Sequence, residues 1–427
     1  MEKGLISIDR WSEESQAYFL THLHADHTKG LSSKWSKGPL FCSPISARLF
    51  PPRFRGFDLS LLRVLEVGAT HPISLVSPTT GSEVRFLVTP IDAHHCPGAV
   101  MYLFRGEFGC VLYTGDFRWE SMSERSGMGR KTLLDALQGD KLDVLYLDNT
   151  YCHPSYSFPP REVVARQVVE IISSHPDHEI IIAVDTLGKE DLLLHISKAL
   201  GTKIWVWPER LQTMHLLGYY NIFTTKTSLT RIRAVPRYSF TFETLEALNT
   251  VHPTIGIMPS GLPWGMDIKY RESSNRRARQ CNNQTEQPQM LHQYAYSVPY
   301  SEHSCFSEIQ EFMKIVQPSV VTGIVSSSIC YVNPRHYFSN ICGARLDKAC
   351  NNFYVEKAEN KKNRSFLKWT SSRSLKVKKE GKFKIANLIL RRSKIAVIRK
   401  ERRGVKIEET DGLCTSDLDV NQKGSSR

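Results

Sequence analysis

The sequence lacks the features of membrane and secreted proteins. No run approaches the roughly 20 apolar residues that a membrane-spanning helix needs. The N-terminal Met-Glu-Lys-Gly-Leu-Ile has no apolar signal region. The ten cysteines are scattered without any Cys-x-x-Cys pair, which favours reduced, buried thiols over a disulfide framework. We therefore expect a soluble, intracellular chain without a membrane segment, and we find no internal repeat.

The chain also lacks an acidic excess, because its net charge is +13. Residues 351–427 hold 21 Lys and Arg against 9 Asp and Glu, a net of +12, so residues 1–350 carry only about +1. The basic runs are Lys376-Val-Lys-Lys, Arg391-Arg392 and Arg399-Lys400-Glu-Arg402-Arg403. They indicate either a nuclear import signal or a phosphate-binding arm, and the alternative is a solvated extension.

A dense cluster of metal-ligand side chains stands near the N-terminus. Residues 21–27 read Thr-His-Leu-His-Ala-Asp-His and contain His22, His24, Asp26 and His27. Alternation places the first three on one side of an extended segment, after the strand-like Ala17–Leu20. We expect His27 at the turn into a helix. The cluster predicts a metal site at a strand end.

The hydrophobic pattern predicts an α/β protein in several parts. Short strands in residues 1–155 suggest a layered sandwich, and strands alternating with helices in 156–298 suggest an inserted domain with a parallel sheet. Residues 299–350 return to the first domain, and 351–427 form a basic, flexible tail. The predicted strands that matter for the site are Ala17–Leu20, Val84–Thr89, Val111–Tyr113, Leu142–Leu147, Tyr294–Val298 and Ser319–Val325. The polar residues 267–292 are expected to form a mobile loop.

Further candidate ligands follow other predicted strands. They are Asp9, His94 or His95, Asp116, Asp148 and His303. Alone, each has an ordinary structural explanation, because Gly-Asp after a strand is usually a turn and a single buried His is usually a satisfied core group. The presence of the His-x-His-x-Asp-His cluster favours a metal-binding role for all of them, since a two-metal hydrolase needs several ligands.

These motifs resemble the metallo-β-lactamase superfamily. Its pattern is matched by His22-x-His24-x-Asp26-His27, His95 and Asp116 in Thr-Gly-Asp-Phe-Arg. The strings His95-Cys-Pro-Gly, Leu147-Asp-Asn-Thr-Tyr-Cys and Pro299-Tyr-Ser-Glu-His-Ser are similar to the β-CASP DNA-repair nucleases of the Artemis and Apollo type, with the Apollo type closer. The resemblance covers about residues 4–340. It implies a four-layer αββα sandwich with an inserted β-CASP domain.

The resemblance also implies a ligand set. One metal would take His22, His24, His95 and Asp116, and a second would take Asp26, His27, Asp116 and His303. Asp9 would orient a ligand imidazole, and Asp148 would hydrogen-bond to His303 or touch the metal. The residues implied to act in catalysis are Asp26, His27, Asp116, Asp148 and His303. Histidine-rich ligation favours one or two Zn²⁺ ions, with Mn²⁺ or Mg²⁺ possible at the second site.

Substrate class is implied by a late motif. DNA-processing members of the group carry Val where RNA-processing members carry His, and Val325 matches the DNA class. The alternative is that this valine simply belongs to a buried strand, where valine is common. The resemblance implies a monomeric nuclear 5′-to-3′ exonuclease acting on single-stranded DNA or duplex ends in cross-link or double-strand-break repair and telomere-type end processing. Ser301, Thr150 and Lys189 are candidates for the 5′-phosphate pocket. The alternatives are a structure-specific endonuclease, an RNA-processing or small-molecule hydrolase, and an inactive DNA-binding scaffold.

Overall fold

Four short parallel strands form the first sheet, in the order β1-β2-β3-β4. The computed structural model describes residues 4–120, 123–261, 287–325 and 332–342. The strands are β1 (Ile6–Ile8), β2 (Ala17–Phe19), β3 (Leu40–Cys42) and β4 (Leu62–Val64). Helix α1 (Pro44–Arg53) connects the last two strands, and it begins at Ser43, whose side chain accepts a hydrogen bond from the Ser46 amide.

A second sheet of six strands carries the order β17-β9-β8-β7-β6-β5. Its strands are β5 (His71–Val76), β6 (Glu83–Asp92), β7 (Val100–Gly106), β8 (Gly109–Tyr113), β9 (Val144–Leu147) and β17 (Val320–Gly323). Strands β5 to β8 form an antiparallel meander, whereas β8, β9 and β17 run parallel. Helices α2 (Glu124–Leu137) and α7 (Phe306–Val316) contribute to the same hydrophobic core. Helix α8 (Arg335–Phe338) follows β17.

The first two sheets pack face to face with helices outside them. Phe19 of β2 lies against Tyr102 and Phe104 of β7, with ring centroids 5.3 and 5.1 Å apart. The opposite faces pack against α1 on one sheet and against α2 and α7 on the other, through residues such as Phe50 and Phe312. Period-two alternation along each strand produces these two apolar faces. The predicted αββα sandwich is confirmed.

A third sheet of seven strands forms the inserted α/β part, in the order β12-β11-β13-β10-β14-β16-β15. The strands are β10 (Glu179–Val184), β11 (Ile204–Trp205), β12 (Phe223–Thr224), β13 (Ile232–Pro236), β14 (Thr254–Pro259), β15 (Gln289–His292) and β16 (Ala295–Val298). All pairs are parallel except β15 with β16. The helices are α3 (Arg161–Ser173), α4 (Glu190–Leu200), α5 (Pro208–Leu216) and α6 (Phe242–Asn249).

The structure corrects two local predictions. Residues 25–30 form turns, and no helix starts at His27; the next helix is α1. The predicted loop 267–292 ends too late, because Gln289–His292 forms strand β15 and pairs with β16. Its residues up to 286 lie outside the described part of the chain, as does the tail.

Among the described residues, no helix is long and apolar enough to cross a membrane. The described residues belong to one compact unit. The predicted boundaries at 155/156 and 298/299 therefore stay predictions, although the strands of the third sheet fall within residues 179–298.

Candidate metal centre

Three candidate ligands stand at one edge of the second sheet. His95 follows β6, Asp116 follows β8, and Asp148 follows β9. Strands β6 and β8 both run antiparallel to β7, and β9 runs parallel to β8, so the carboxyl ends of β6, β8 and β9 meet at the same edge. The strand directions therefore bring residues that are far apart in sequence to one edge of the sheet.

The other candidate ligands arrive from the first and third sheets. His22 and His24 lie in the extended residues after β2, and His303 lies beyond β16. The ring centroids of His95 and His303 are 4.7 Å apart, and those of His22 and His95 are 4.8 Å apart. Three sheets thus contribute to a single cluster.

Three imidazoles point nitrogen atoms at one another. His24 Nδ1 lies 3.0 Å from His22 Nε2 and 3.0 Å from His95 Nε2. His22 and His95 are buried. Lone pairs that converge at this distance repel one another unless a proton or a cation lies between them, so this arrangement is what a metal ion requires.

The carboxylate of Asp116 lies beside these rings. Its Oδ2 is 3.6 Å from Nε2 of both His22 and His95, and its Oδ1 is 3.3 Å from His27 Nε2. The side chain is buried and faces different imidazoles with its two oxygens. Asp116 therefore presents one oxygen to His22 and His95 and the other to His27.

Outer hydrogen bonds decide which nitrogen of each ring faces the centre. His24 Nε2–H donates to the Leu187 carbonyl over 3.0 Å, and His95 Nδ1–H donates to the Glu302 carbonyl over 2.8 Å. His22 Nδ1 lies 3.0 Å from Thr21 Oγ1, whose own proton goes to Asp9. Each ring therefore carries its proton on the outward nitrogen, which leaves the inward nitrogen as a metal ligand.

Asp9 holds the fourth imidazole. Its Oδ2 accepts from His27 Nδ1 over 2.7 Å and from the Thr21 hydroxyl over 2.6 Å, and its Oδ1 accepts from the Thr21 amide. Asp9 has φ of 52°, a left-handed conformation that aspartate tolerates better than most residues. His27 Nε2 is thereby directed toward Asp116.

His303 is held in the same way by Asp148. His303 Nδ1 donates to Asp148 Oδ2 over 2.8 Å. The other oxygen of Asp148 accepts from the amide and hydroxyl of Thr150 over 3.0 and 2.6 Å. His303, His95 and Asp116 each offer a ligand atom within 4.8 Å of the others. Of the two predicted roles for Asp148, the structure shows the hydrogen bond to His303.

Burial and charge divide the imidazoles into two groups. Burial and the neighbouring rings keep the pKa of His22 well below its usual range, and burial and His303 lower the pKa of His95 to about 3. Burial also acts to lower the pKa of His27, but Asp9 and Asp116 outweigh it and raise this pKa to about 12. Asp148 and Asp116 likewise overcome burial and raise the pKa of His303 to about 9.

The donor set fits a metal ion of the kind that binds imidazole. The rings of His22 and His95 stay neutral, and the buried carboxylate of Asp116 stays ionised because His27 and His303 outweigh its burial and hold its pKa well below the usual range. Neutral imidazoles with a carboxylate are typical ligands of Zn²⁺. This His/Asp cluster is typical of the metallo-β-lactamase fold.

Asp26 lies on the exposed side, with its side chain 78% accessible and its Oδ2 3.8 Å from His27 Nε2, so its predicted role as a ligand stays a prediction.

His94 is the alternative to His95 that the sequence left open. His94 is buried away from the centre, where Nδ1 faces Ser126 Oγ at 3.2 Å and Nε2 faces Asp92.

The candidates for phosphate binding already hold intramolecular contacts. Ser301 Oγ donates to the carbonyl of His303 over 2.8 Å, and Thr150 Oγ1 donates to Asp148. The Lys189 ammonium is buried between Asp185 and Glu302. Val325 exchanges hydrogen bonds with the Asn149 side chain through its amide and carbonyl. The roles of these residues stay predictions.

Sequence reasoning missed some participants. The carbonyls of Leu187 and Glu302 carry no signal in the sequence, because a backbone oxygen is present at every residue. Cys96 was also missed: its thiol lies within 4.8 Å of a ligand atom of His22, His24 and His95. Burial raises the pKa of this thiol well above its usual range, so it stays protonated next to the ligands.

Comparisons with known proteins point to one family. Residues 219–328 match the family described as DNA repair metallo-beta-lactamase. The chain is 40% identical over 338 residues to 5' exonuclease Apollo of Gallus gallus, covering 78% of this chain and 65% of that protein. It is 37% identical to 5' exonuclease Apollo of Mus musculus, covering 76% and 54%. It is 33% identical to DNA cross-link repair protein SNM1 of Arabidopsis thaliana, covering 73% and 61%.

The similarity extends over between about half and two thirds of the length of these relatives. The inserted sheet, the His/Asp cluster and the matched segment 219–328 together identify the lineage. This chain belongs to the DNA repair metallo-β-lactamase family, the β-CASP branch of the metallo-β-lactamase fold.

Proposed function

We propose that this protein is a metal-dependent 5′-to-3′ exonuclease that hydrolyses phosphodiester bonds from 5′-phosphorylated DNA ends in DNA repair. The observation that carries the proposal is the convergence of inward-facing imidazole nitrogens on Asp116. Two relatives that share 40% and 37% of the aligned residues are named 5' exonuclease Apollo, which supports this activity over others on the fold.

His22, His24, His95 and Asp116 would hold one ion, and Asp26, His27, Asp116 and His303 would hold a second. Zn²⁺ suits the imidazoles best, and the carboxylate-rich second site also suits Mn²⁺ or Mg²⁺. When bound, the ions supply Lewis-acid stabilisation of phosphodiester charge and lower the pKa of a water molecule. Asp116 would contribute one oxygen to each ion, because its two oxygens face different rings.

His303 and Asp148 form a unit that holds a proton near the reacting phosphate. Asp148 keeps the Nδ1 proton of His303, so Nε2 faces the centre. With the second ion bound, this Nε2 would be one of its ligands. Without it, the raised pKa of His303 keeps a proton on Nε2, where it can be donated to the leaving 3′-oxygen.

DNA is the proposed substrate and the nucleus the proposed compartment. Val325 matches the DNA-processing class and lies at the same edge of the second sheet, fixed by Asn149. Ser301 and Thr150 are proposed to bind the 5′-phosphate, since their hydroxyls stand next to His303 and Asp148. The basic runs beyond residue 350 supply the positive charge for nuclear import or for strand binding.

Degradation of DNA by the purified chain tests the proposal. The protein with Zn²⁺ or Mn²⁺ is expected to shorten 5′-phosphorylated single-stranded DNA from its 5′ end. The Asp26→Ala, His27→Ala double variant should lose at least about 100-fold of this activity, because it removes two groups of the second site. His252→Ala, an exposed histidine of the third-sheet region, is the matched control and should keep full activity.

A 5′-hydroxyl substrate separates the alternatives. The proposed exonuclease should act poorly on it, whereas equal cleavage of 5′-hydroxyl and 5′-phosphate strands, or opening of a DNA hairpin, indicates a structure-specific endonuclease. Undiminished activity in the double variant would rule out the proposed centre.

A further inference from the structure

The loop between β10 and α4, residues 185–189, joins the third sheet to the metal centre. We propose that this loop is part of the metal centre. Lys189 and Glu302 are positioning residues that fix the orientation of the metal ligands His24 and His95. The inference rests on the metal centre described above. It also gives Lys189 a role other than phosphate binding.

The loop determines which nitrogen of His24 binds metal. His24 Nε2–H donates to the carbonyl of Leu187, 163 residues away in the chain, over 3.0 Å. If this carbonyl moves away, the proton on Nε2 loses its acceptor and the ring loses its preferred tautomer and orientation. The ligand atom Nδ1 then no longer stays 3.0 Å from His22 Nε2 and His95 Nε2.

Glu302 acts on His95 through its backbone. His95 Nδ1–H donates to the Glu302 carbonyl over 2.8 Å, which leaves Nε2 directed at the centre. The residue after Glu302 is His303, a further candidate ligand. Any shift of the segment at residue 302 therefore reaches both His95 and His303.

An ion-pair clamp connects these two segments. Lys189 Nζ lies 3.0 Å from Glu302 Oε2 and 2.8 Å from Asp185 Oδ2. The Lys189 amide donates to Glu302 Oε1 over 2.5 Å. The side chains of Lys189 and Glu302 are only 7% and 8% exposed. Buried charges need each other, so loss of one partner leaves the other uncompensated and displaces the segment that carries it.

The far side of the loop is also held. The buried guanidinium of Arg210 donates to the Gly188 carbonyl over 2.8 Å, to Glu190 Oε1 over 2.9 Å and to the Asp185 carbonyl. With Arg210 on one side and Glu302 on the other, the Leu187 carbonyl has a defined position. The ammonium of Lys189 is neutralised by two carboxylates and has little exposed surface for a substrate phosphate.

The test measures metal binding by the full chain without DNA. Lys189→Met removes the ammonium but keeps a similar side-chain length, and we expect about 10- to 100-fold weaker Zn²⁺ binding in competition with a chromophoric chelator. With Co²⁺ as probe, the visible absorption bands should change, because the orientation of His24 or His95 changes. Glu302→Gln keeps the backbone carbonyl and an acceptor oxygen, so it should weaken binding less.

Arg233→Met is the matched control. It breaks the ion pair of Arg233 with Glu179 at the start of strand β10, the strand whose other end leads into the loop. Its Zn²⁺ affinity and Co²⁺ spectrum should equal those of the parent chain. Circular dichroism and thermal unfolding establish that each variant is folded.

A folded Lys189→Met chain with parental Zn²⁺ affinity and an unchanged Co²⁺ spectrum overturns the inference. If that variant does not fold, Glu302→Gln decides on the same two readouts. Because no DNA is involved, a chain that shows the predicted metal effects but degrades no DNA refutes the proposed function alone. If the chain degrades DNA but substitution of Lys189 and Glu302 leaves its Zn²⁺ affinity and Co²⁺ spectrum unchanged, only this inference is refuted.

Discussion

Each ligand imidazole of the centre has its outward nitrogen paired with an oxygen. Two of these oxygens are backbone carbonyls, one is the Thr21 hydroxyl and two are the carboxylates of Asp9 and Asp148. A carbonyl leaves the ring neutral, whereas a carboxylate holds a proton on the ring more tightly. The pKa values of His95 and His27, near 3 and near 12, differ because burial and His303 lower the first, whereas Asp9 and Asp116 outweigh burial and raise the second.

Metal binding is therefore predicted to release protons. Without metal, the raised pKa values of His27 and His303 keep both rings charged at pH 7. An ion at either Nε2 displaces a proton, so metal affinity rises with pH by roughly tenfold per unit for each proton released, until the pH reaches the pKa of about 9 for His303 and of about 12 for His27. Calorimetry in two buffers of different ionisation enthalpy should give about one or two protons per filled centre.

Asp9→Asn provides the check on this assignment. Asparagine tolerates the left-handed backbone of Asp9 but carries no charge, so the pKa of His27 falls and fewer protons are released. Asp58→Asn, on an exposed turn before Leu59, is the control and should leave proton release unchanged. Zero release by the parent chain would contradict the assignment.

At the scale of elements, the strands that carry ligands were predicted well. Ala17–Leu20 and Val111–Tyr113 correspond to Ala17–Phe19 and Gly109–Tyr113, because continuous apolar runs that end at polar residues mark buried strands clearly. The position of the centre at strand ends followed from that. The predicted helix after His27 was wrong, since residues 25–30 form turns and His27 is held by long-range contacts with Asp9 and Trp11.

Elements with conflicting local signals were not predicted. Helix α1 contains Pro51 and Pro52, and α2 contains Gly127 and Gly129, so neither has a regular helical pattern in the sequence. The hydrogen bonds that orient His24 and His95 also could not be predicted. Their partners are 163 and 207 residues away, and no spacing rule connects them.

The two glycines that flank helix α4 give a matched prediction. Gly188 precedes the helix with φ of +102°, and an added Cβ would lie 2.6 Å from Glu302 Oε1. Gly201 follows the helix with φ of +60° and has nothing within 4 Å of an added Cβ. Gly201→Ala should cost about 1 kcal/mol of backbone strain, whereas Gly188→Ala adds a clash and should cost about 2–4 kcal/mol.

Chemical denaturation of the full chain measures both variants. Gly188→Ala should also weaken Zn²⁺ binding, because the clash is with the carboxylate that holds the loop. Equal destabilisation by the two substitutions would indicate that the close approach of Gly188 to Glu302 does not contribute to the free energy of unfolding.

At the scale of the whole molecule, the excess positive charge lies in a different part of the sequence from the candidate metal ligands. Residues 1–350 hold every candidate ligand at a net charge near +1, while residues 351–427 hold +12. We predict that the tail supplies salt-dependent affinity for DNA and leaves the chemical step unchanged. The variant replaces Lys376, Lys378, Lys379, Arg399, Lys400, Arg402 and Arg403 with Gln in the full chain.

Its affinity for single-stranded DNA should fall at low salt, and the slope of log affinity against log salt should become shallower by up to about 5, since each phosphate contact contributes about 0.7. The turnover number at saturating DNA should stay the same. Replacing Lys141, Lys198 and Lys203 with Gln controls for charge loss elsewhere. An unchanged slope in the tail variant would exclude the tail from DNA binding.

The hydrogen bond from His24 to the Leu187 carbonyl also has a thermodynamic consequence for domain motion. If the third sheet moves away from the other two, His24 loses its orienting partner and metal affinity falls. By reciprocity, a bound ion must then stabilise the docked arrangement by the same factor. Metal loading and docking of the third sheet on the other two would therefore be coupled equilibria, and hydrogen exchange in residues 185–189 should slow when Zn²⁺ is added.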